Sequence, residues 1–176
     1  MTSLPGVALT LALALILEGR IPAQAQAQQR DCPAAAGPAR AYHNERFGFG
    51  FRYPPVFFLD PQSVPPEGDS ARFWTEDRRA TAVVNAAPNR EGRTLRALLR
   101  EAEGDVVENS GGEITYRRTR DNWFVISGYM VGRIFYRRTL LARSGTMATL
   151  WMEFPREMRD CLDGAVTMMS LSFRER

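Results

Sequence analysis

The chain contains no lysine. All 23 of its basic residues are arginine, it has one histidine, His43, and it has two cysteines, Cys32 and Cys161. A single histidine excludes every mechanism that needs two imidazoles. Glu45 beside it does not make a metal site without further ligands from elsewhere. No Gly-x-Ser-x-Gly turn is present to offer a serine to that histidine. Gly111-Gly112 precedes a strand pattern and not a helix, which fails the context of a phosphate-cradling loop. The cysteines have no Cys-x-x-Cys spacing and no histidine neighbour, which argues against a redox or metal pair. The lack of lysine runs through the whole chain. An arginine-favouring codon usage accounts for it more simply than selection for carboxylate or phosphate binding does.

Long apolar runs are also scarce. Val7 to Leu17 is uninterrupted and apolar but too short for a stable bilayer span. Pro22 follows, and then Ala23-Gln24-Ala25-Gln26-Ala27 alternates small residues as a signal-peptidase site does. The residues before the run carry no Arg or Lys, so only the α-amino group supplies the usual positive charge. The pattern predicts a signal peptide over residues 1–27, cleaved after Ala25 or Ala27, and a periplasmic or secreted product. Gln29-Arg30-Asp31 before Cys32 is not a lipid-attachment context, and no later segment is apolar enough to cross a membrane. Export in turn excludes nucleic acid as a partner.

After cleavage about 150 residues remain, the size of one domain with one core. Residues 28–41, rich in Ala, Gln and Pro, read as a flexible arm, and 42–176 as a single α+β domain. Two cysteines in an exported chain are expected to pair, and a Cys32–Cys161 bridge would close nearly the whole mature domain.

From Arg46 to Tyr53 the chain alternates, with Phe47, Phe49, Phe51 and Tyr53 on one face and Gly48 and Gly50 on the other. This predicts a strand whose second face is bare or closely approached, ended by Pro54-Pro55. Pro61 to Ser70 is a loop, and Arg72–Thr75 and Ala80–Val84 form a hairpin. Thr94 caps a helix carrying Leu95, Leu98, Leu99 and Ala102, with Gly104 as its expected end. Four strands follow over 113–120, 123–130, 133–142 and 146–154, separated by short turns, as in an antiparallel meander. A last helix after Pro155 places Met158, Cys161, Leu162, Ala165, Val166 and Met169 on one side. The strand from Trp123 to Met130 is apolar on both faces, so cover is expected on both sides of the sheet.

Three passages together resemble the PsbP-like α/β/α sandwich family. They are the aromatic strand Gly48 to Pro54, the long strands around Gly128-Tyr129 and Phe135-Tyr136-Arg137, and the closing Met169-Ser170-Leu171-Ser172-Phe173. The resemblance implies an antiparallel sheet with helices and loops over both faces. It also implies a binding or assembly role, without enzymatic activity or cofactor. No functional residue is carried over.

The strongest candidate site in the residues themselves is basic. Between Thr115 and Arg143 stand seven arginines, namely 117, 118, 120, 133, 137, 138 and 143, against one acid, Asp121. Aromatic residues, among them Tyr129, are interleaved. Arg117, Arg118, Arg133, Arg137, Arg138 and Tyr129 are therefore candidates for docking an anionic envelope component or an acidic envelope protein. The competing reading is a solvated sheet face whose charges deter edge pairing. Strand alternation also divides neighbours such as Arg117 and Arg118 between faces. The alternative from another class is a cell-envelope hydrolase using carboxylates at Glu76 and Asp77 or at Glu101, Glu103, Asp105 and Glu108. These acids stand at a turn tip and a helix end, where solvated acids ordinarily sit.

Overall fold

Arg40–Asn44 (β1) and Phe49–Tyr53 (β2) form an antiparallel hairpin in the computed structural model, which describes residues 37–176, all within one compact unit, Asp31–Arg176. The alternation from Arg46 predicted one strand, but the chain turns over residues 45–48. Asn44 Oδ1 accepts the Phe47 N–H at 3.0 Å, and Gly48, with φ +64, donates its N–H to the Asn44 carbonyl at 2.9 Å. Phe47 still reaches the core, which is why its ring looked like part of the strand. β1 starts inside the segment expected to be a flexible arm. It places only Tyr42 and Asn44 inward and leaves Arg40, Ala41 and His43 exposed, so its own pattern is weak.

A seven-stranded antiparallel sheet is the main layer. Its strands are Phe58–Asp60 (β3), Ser70–Trp74 (β4), Thr81–Pro88 (β5), Glu113–Arg120 (β6), Trp123–Met130 (β7), Arg133–Leu141 (β8) and Thr146–Pro155 (β9). Their spatial order is β3-β4-β5-β9-β8-β7-β6. Arg174–Glu175 (β10) joins the first hairpin to complete a small sheet, β1-β2-β10.

Helix Leu95–Gly104 (α1) covers one face of the large sheet. Thr94 caps it as expected, accepting the Ala97 N–H at 3.2 Å. Its regular α-helical turns end at Gly104 as expected, but Gly104 keeps right-handed helical dihedrals and is not a left-handed cap. The chain continues through a π turn, Asp105–Asn109, and stops at Gly111, with φ +60. The extension follows the apolar spacing, because Leu98, Ala102 and Val106 lie four apart and all pack on Phe124, Ile126 and Phe135. Helix Arg159–Ser172 (α2) and the small sheet cover the other face. Met158 just before this helix and Leu162, Ala165 and Met169 within it point inward, with Cys161 and Val166 beside them, as the periodicity marked. Tyr42, Phe49, Phe51, Tyr53, Phe73 and Phe173 pack ring on ring in this layer, with centroids 4.9–6.3 Å apart. Each such pair contributes about 0.5–1.5 kcal/mol beyond its buried area. The result is the α+β sandwich expected, covered on both faces.

No helix among the described residues is long and apolar enough to cross a membrane. The predicted signal segment lies outside the described residues.

Candidate functional site

Cross-strand register sorts the six candidate residues onto two faces. On the α1 side, Arg117 lies opposite Ile126, which lies opposite Arg137, and each of these arginines reaches an acid at the end of the helix. Arg117 pairs with Glu103, and Arg137 with Asp105 at 3.1 Å. Arg133 pairs with Glu153 at 3.3 Å on β9. All three arginines are neutralised; Arg117 and Arg137 fasten the helix to the sheet, and Arg133 ties β8 to β9. Partly exposed pairs of this kind contribute about 0–1 kcal/mol each.

On the α2 side the register brings Arg118, Val125 and Arg138 into one row across β6, β7 and β8. At a strand spacing of 4.7–4.9 Å the two arginines stand about 10 Å apart at the backbone. The row above holds Tyr116, Ser127 and Tyr136, and the row below Arg120, Trp123 and Leu140. Helix α2 packs on β8 and β9, so β6 lies beyond its cover, and Tyr116, Arg118 and Arg120 are exposed.

Arg138 has a different environment. It is only 8% exposed and its guanidinium lies 4.0 Å from the Trp123 ring centroid; its buried Nε has no hydrogen-bond partner, as in Arg93, Arg133 and Arg137. It makes no ion pair among the described residues. Burial lowers its pKa from the ordinary arginine value, an effect opposed by the nearby Tyr136. Natural folds rarely leave a buried cation without an acid. The terminal nitrogens of Arg138 therefore offer unused donors beside an aromatic face. Tyr136 shares a 2.7 Å hydrogen bond with the buried Ser170 hydroxyl of α2, and burial raises its pKa against the lowering effect of that bond. Ser170 thus fixes the ring that borders the site.

Tyr129 sits at the far end of the same face. The Arg156 guanidinium lies 4.4 Å from its ring centroid, and Arg159 Nη1 is 3.5 Å from its hydroxyl. With Tyr136 and α2 residues it lines a groove of about 310 Å³ between helix and sheet. The six candidates therefore do not form one patch. Arg118, Arg138 and Tyr129 share a face, while Arg117, Arg133 and Arg137 belong to the opposite one. Trp123, one of the aromatics interleaved with the arginines in the sequence, supports the buried guanidinium. No local signal gives that role, because the pairing runs diagonally between strands.

The carboxylates have other partners. Asp77 accepts the Thr75 hydroxyl and the Arg79 N–H. Burial would raise its pKa, but those bonds outweigh it and the value is lowered. Glu101 holds Arg93 through both oxygens, at 3.0 and 2.8 Å, while Glu103 and Asp105 hold the sheet arginines. Glu76 and Glu108 are exposed. No cluster of three metal-ligating side chains occurs among the described residues. His43 is exposed on β1. Cys161 is half-buried and is not a free thiol. Its expected partner, Cys32, lies outside the described residues.

This two-sheet arrangement with a helix on either side of the large sheet is the PsbP-like fold, shared with the Mog1 proteins. The chain is similar to cyanobacterial PsbP (CyanoP) from Synechocystis sp. PCC 6803, at 17% identity and a TM-score of 0.61, covering 81% of this chain and 96% of that one. It is also similar to the Saccharomyces cerevisiae Ran-binding protein Mog1p, at 10% identity and a TM-score of 0.59, covering 80% and 96%. A point-mutant form of protein Mog1 matches at 11% identity and a TM-score of 0.56, covering 79% and 96%. No family model and no curated protein matches the sequence.

Proposed function

We propose that the protein is an exported, non-catalytic accessory protein that docks an acidic segment of a partner through the Arg118–Arg138 face. The observation that carries this reading is the buried Arg138 guanidinium, stacked on Trp123 and without an acid among the described residues. Arg118 adds a second, exposed cation in the same row, and Tyr116 and Tyr136 provide flat apolar surface beside it. A planar guanidinium held rigid by a ring is suited to bidentate carboxylate recognition. Protein binding on this fold has a parallel in the yeast neighbour, a Ran-binding protein.

Export is read from the apolar run over residues 7–17 and the alanine-rich exit, with cleavage after Ala25 or Ala27. A Cys32–Cys161 disulfide suits that compartment and would anchor the N-terminal arm to α2.

The test is native mass spectrometry of the protein isolated gently from the cell envelope, parent beside Arg118→Glu and Arg138→Met. A bound partner whose mass is lost in both variants is the expected outcome. A complex that survives both substitutions would remove this face from the function.

A further inference from the structure

The outer face of the small sheet has no role in the reading above, and its chemistry is distinct. β2 turns its three aromatic rings inward, so Gly50 and Arg52 point outward. Register places His43, Gly50 and Arg174 in one row, with Arg52 in the next. Arg176 follows, its N–H bonded to the Gly48 carbonyl at 2.9 Å and its side chain lying over Gly50. Gly50 keeps this floor flat. A Cβ there would come within 2.8 Å of both His43 Nδ1 and the Tyr42 carbonyl. Of the two alternatives the glycine spacing left open, a bare or a closely approached face, Gly50 is the closely approached one, a buried floor with Arg52, Arg174, Arg176 and His43 around it, while Gly48 lies in the turn.

The end of α2 forms a wall. Met168 and Leu171 line a cleft of about 520 Å³ with these residues, and Leu171 is 74% exposed. That volume is in the range of small-molecule sites, about 300–1,000 Å³. No Asp or Glu side chain lines the cleft. Glu175 belongs to the inward row of β10 and accepts the Arg143 N–H at 3.1 and 3.3 Å. Glu45 lines a separate recess with His43 and Arg176. None of Arg52, Arg174 and Arg176 makes an ion pair among the described residues. The last carbonyls of α2 are capped, with the Phe173 N–H bonding to Met169 and Ser170, so the opposing field of the helix end is only a partial negative charge.

We propose that this cleft binds a phosphate ester carrying an apolar chain, its phosphate on Arg52, Arg174 and Arg176 and its chain along Leu171 and Met168. Three arginines lining one cleft offer donors enough for the three free oxygens of a phosphomonoester, more than the two of a carboxylate need. An exposed leucine beside them gives the chain a surface to cover. The same chemistry is available from an acidic phospholipid in a bilayer or from a soluble phosphate ester.

Two probes distinguish these sources. One is dihexanoyl phosphatidic acid below its micellar concentration, followed by amide chemical shifts of the purified protein. The other is phosphatidylcholine vesicles with and without phosphatidic acid, followed by sedimentation. Shifts centred on His43, Gly50 and Leu171 are expected. The double variant Arg52→Gln/Arg174→Gln should weaken binding about tenfold or more, the effect of losing charge-assisted hydrogen bonds. Leu171→Ser should weaken binding of dihexanoyl phosphatidic acid and leave glycerol phosphate binding unchanged. These side chains are all exposed, so the variants keep the fold, which far-UV circular dichroism checks. Arg118→Glu should have no effect, which separates this site from the docking face. Sedimentation with phosphatidic acid vesicles, without binding of the short-chain ester, would assign the bilayer as the source. Binding of the short-chain ester without vesicle binding would assign a soluble ester. No shift at Gly50 with either probe, or an affinity indifferent to the arginine substitutions, would overturn the proposal.

Discussion

Arg138 is the residue on which the proposed docking role rests. Its guanidinium is buried on Trp123 with no acid among the described residues to offset its desolvation. Arg138→Met keeps the stem and removes the charge. Losing the cation–π contact costs about 0.5–2 kcal/mol, and removing the desolvation penalty recovers a similar amount. Thermal unfolding of this variant should therefore fall within ~1 kcal/mol of the parent or above it, even as partner binding is lost. A large loss of stability would make Arg138 a structural residue. Tyr136 gives a prediction about pH. Burial raises its pKa above that of an unfolded tyrosine, so the native state holds its proton more tightly. The stability this contributes is complete below pH ~10 and is lost as pH rises through the raised value. In urea titrations across alkaline pH, Tyr136→Phe should have a shallower decline than the parent. Tyr42, raised for the same reason of burial, leaves part of the decline in place.

Among the elements, the β6–β7 pair depends on a glycine. A Cβ at Gly128 would lie 1.8 Å from the Glu113 carbonyl oxygen, beside the register shift between Ile114 and Tyr116. Backbone occupies that space and cannot move aside as a side chain would. Gly128→Ala should cost about 2–3 kcal/mol or more in urea unfolding and detach the strand that carries Arg118. Thr94→Ala removes only the cap on α1 and should cost about 1 kcal/mol. The same two elements show how much local pattern conveys. Thr94 and the leucine spacing marked the start of α1, because a cap and a stripe are contacts within a few residues. Its α-helical turns end at Gly104 as expected, but local pattern does not show the π turn that follows, because that turn rests on Val106 joining the cluster of Phe124 and Ile126 on another element.

For the whole molecule, the proposed Cys32–Cys161 bridge would join the two ends of the mature chain. The chain-entropy treatment assigns about 4–5 kcal/mol to so long a loop, less any native strain. Reductant should lower the unfolding midpoint accordingly, and Cys161→Ser should match the reduced parent. A midpoint indifferent to reductant would mean that the bridge is absent or adds nothing. Charge is also distributed at this scale. The net charge of +3 is small, yet two surfaces, the Arg118–Arg138 face and the Gly50 cleft, carry cations without acids among the described residues. The arginines on the α1 side are matched to carboxylates instead.

By itself the sequence determined the order of elements from β4 to α2, the inward faces of β2, β7 and α2, and the division of Arg117 from Arg118. Each follows from a period of 2 or 3.6 along the chain. Only the tertiary structure decided which arginines are neutralised, that Trp123 lies under Arg138, and that Arg174 and Arg176 return beside His43 and Gly50. Those relations depend on register between strands and on the docking of the C-terminal residues against the first hairpin. They join residues as far apart as 43 and 174, and a local period carries no information about which distant strand will be its neighbour.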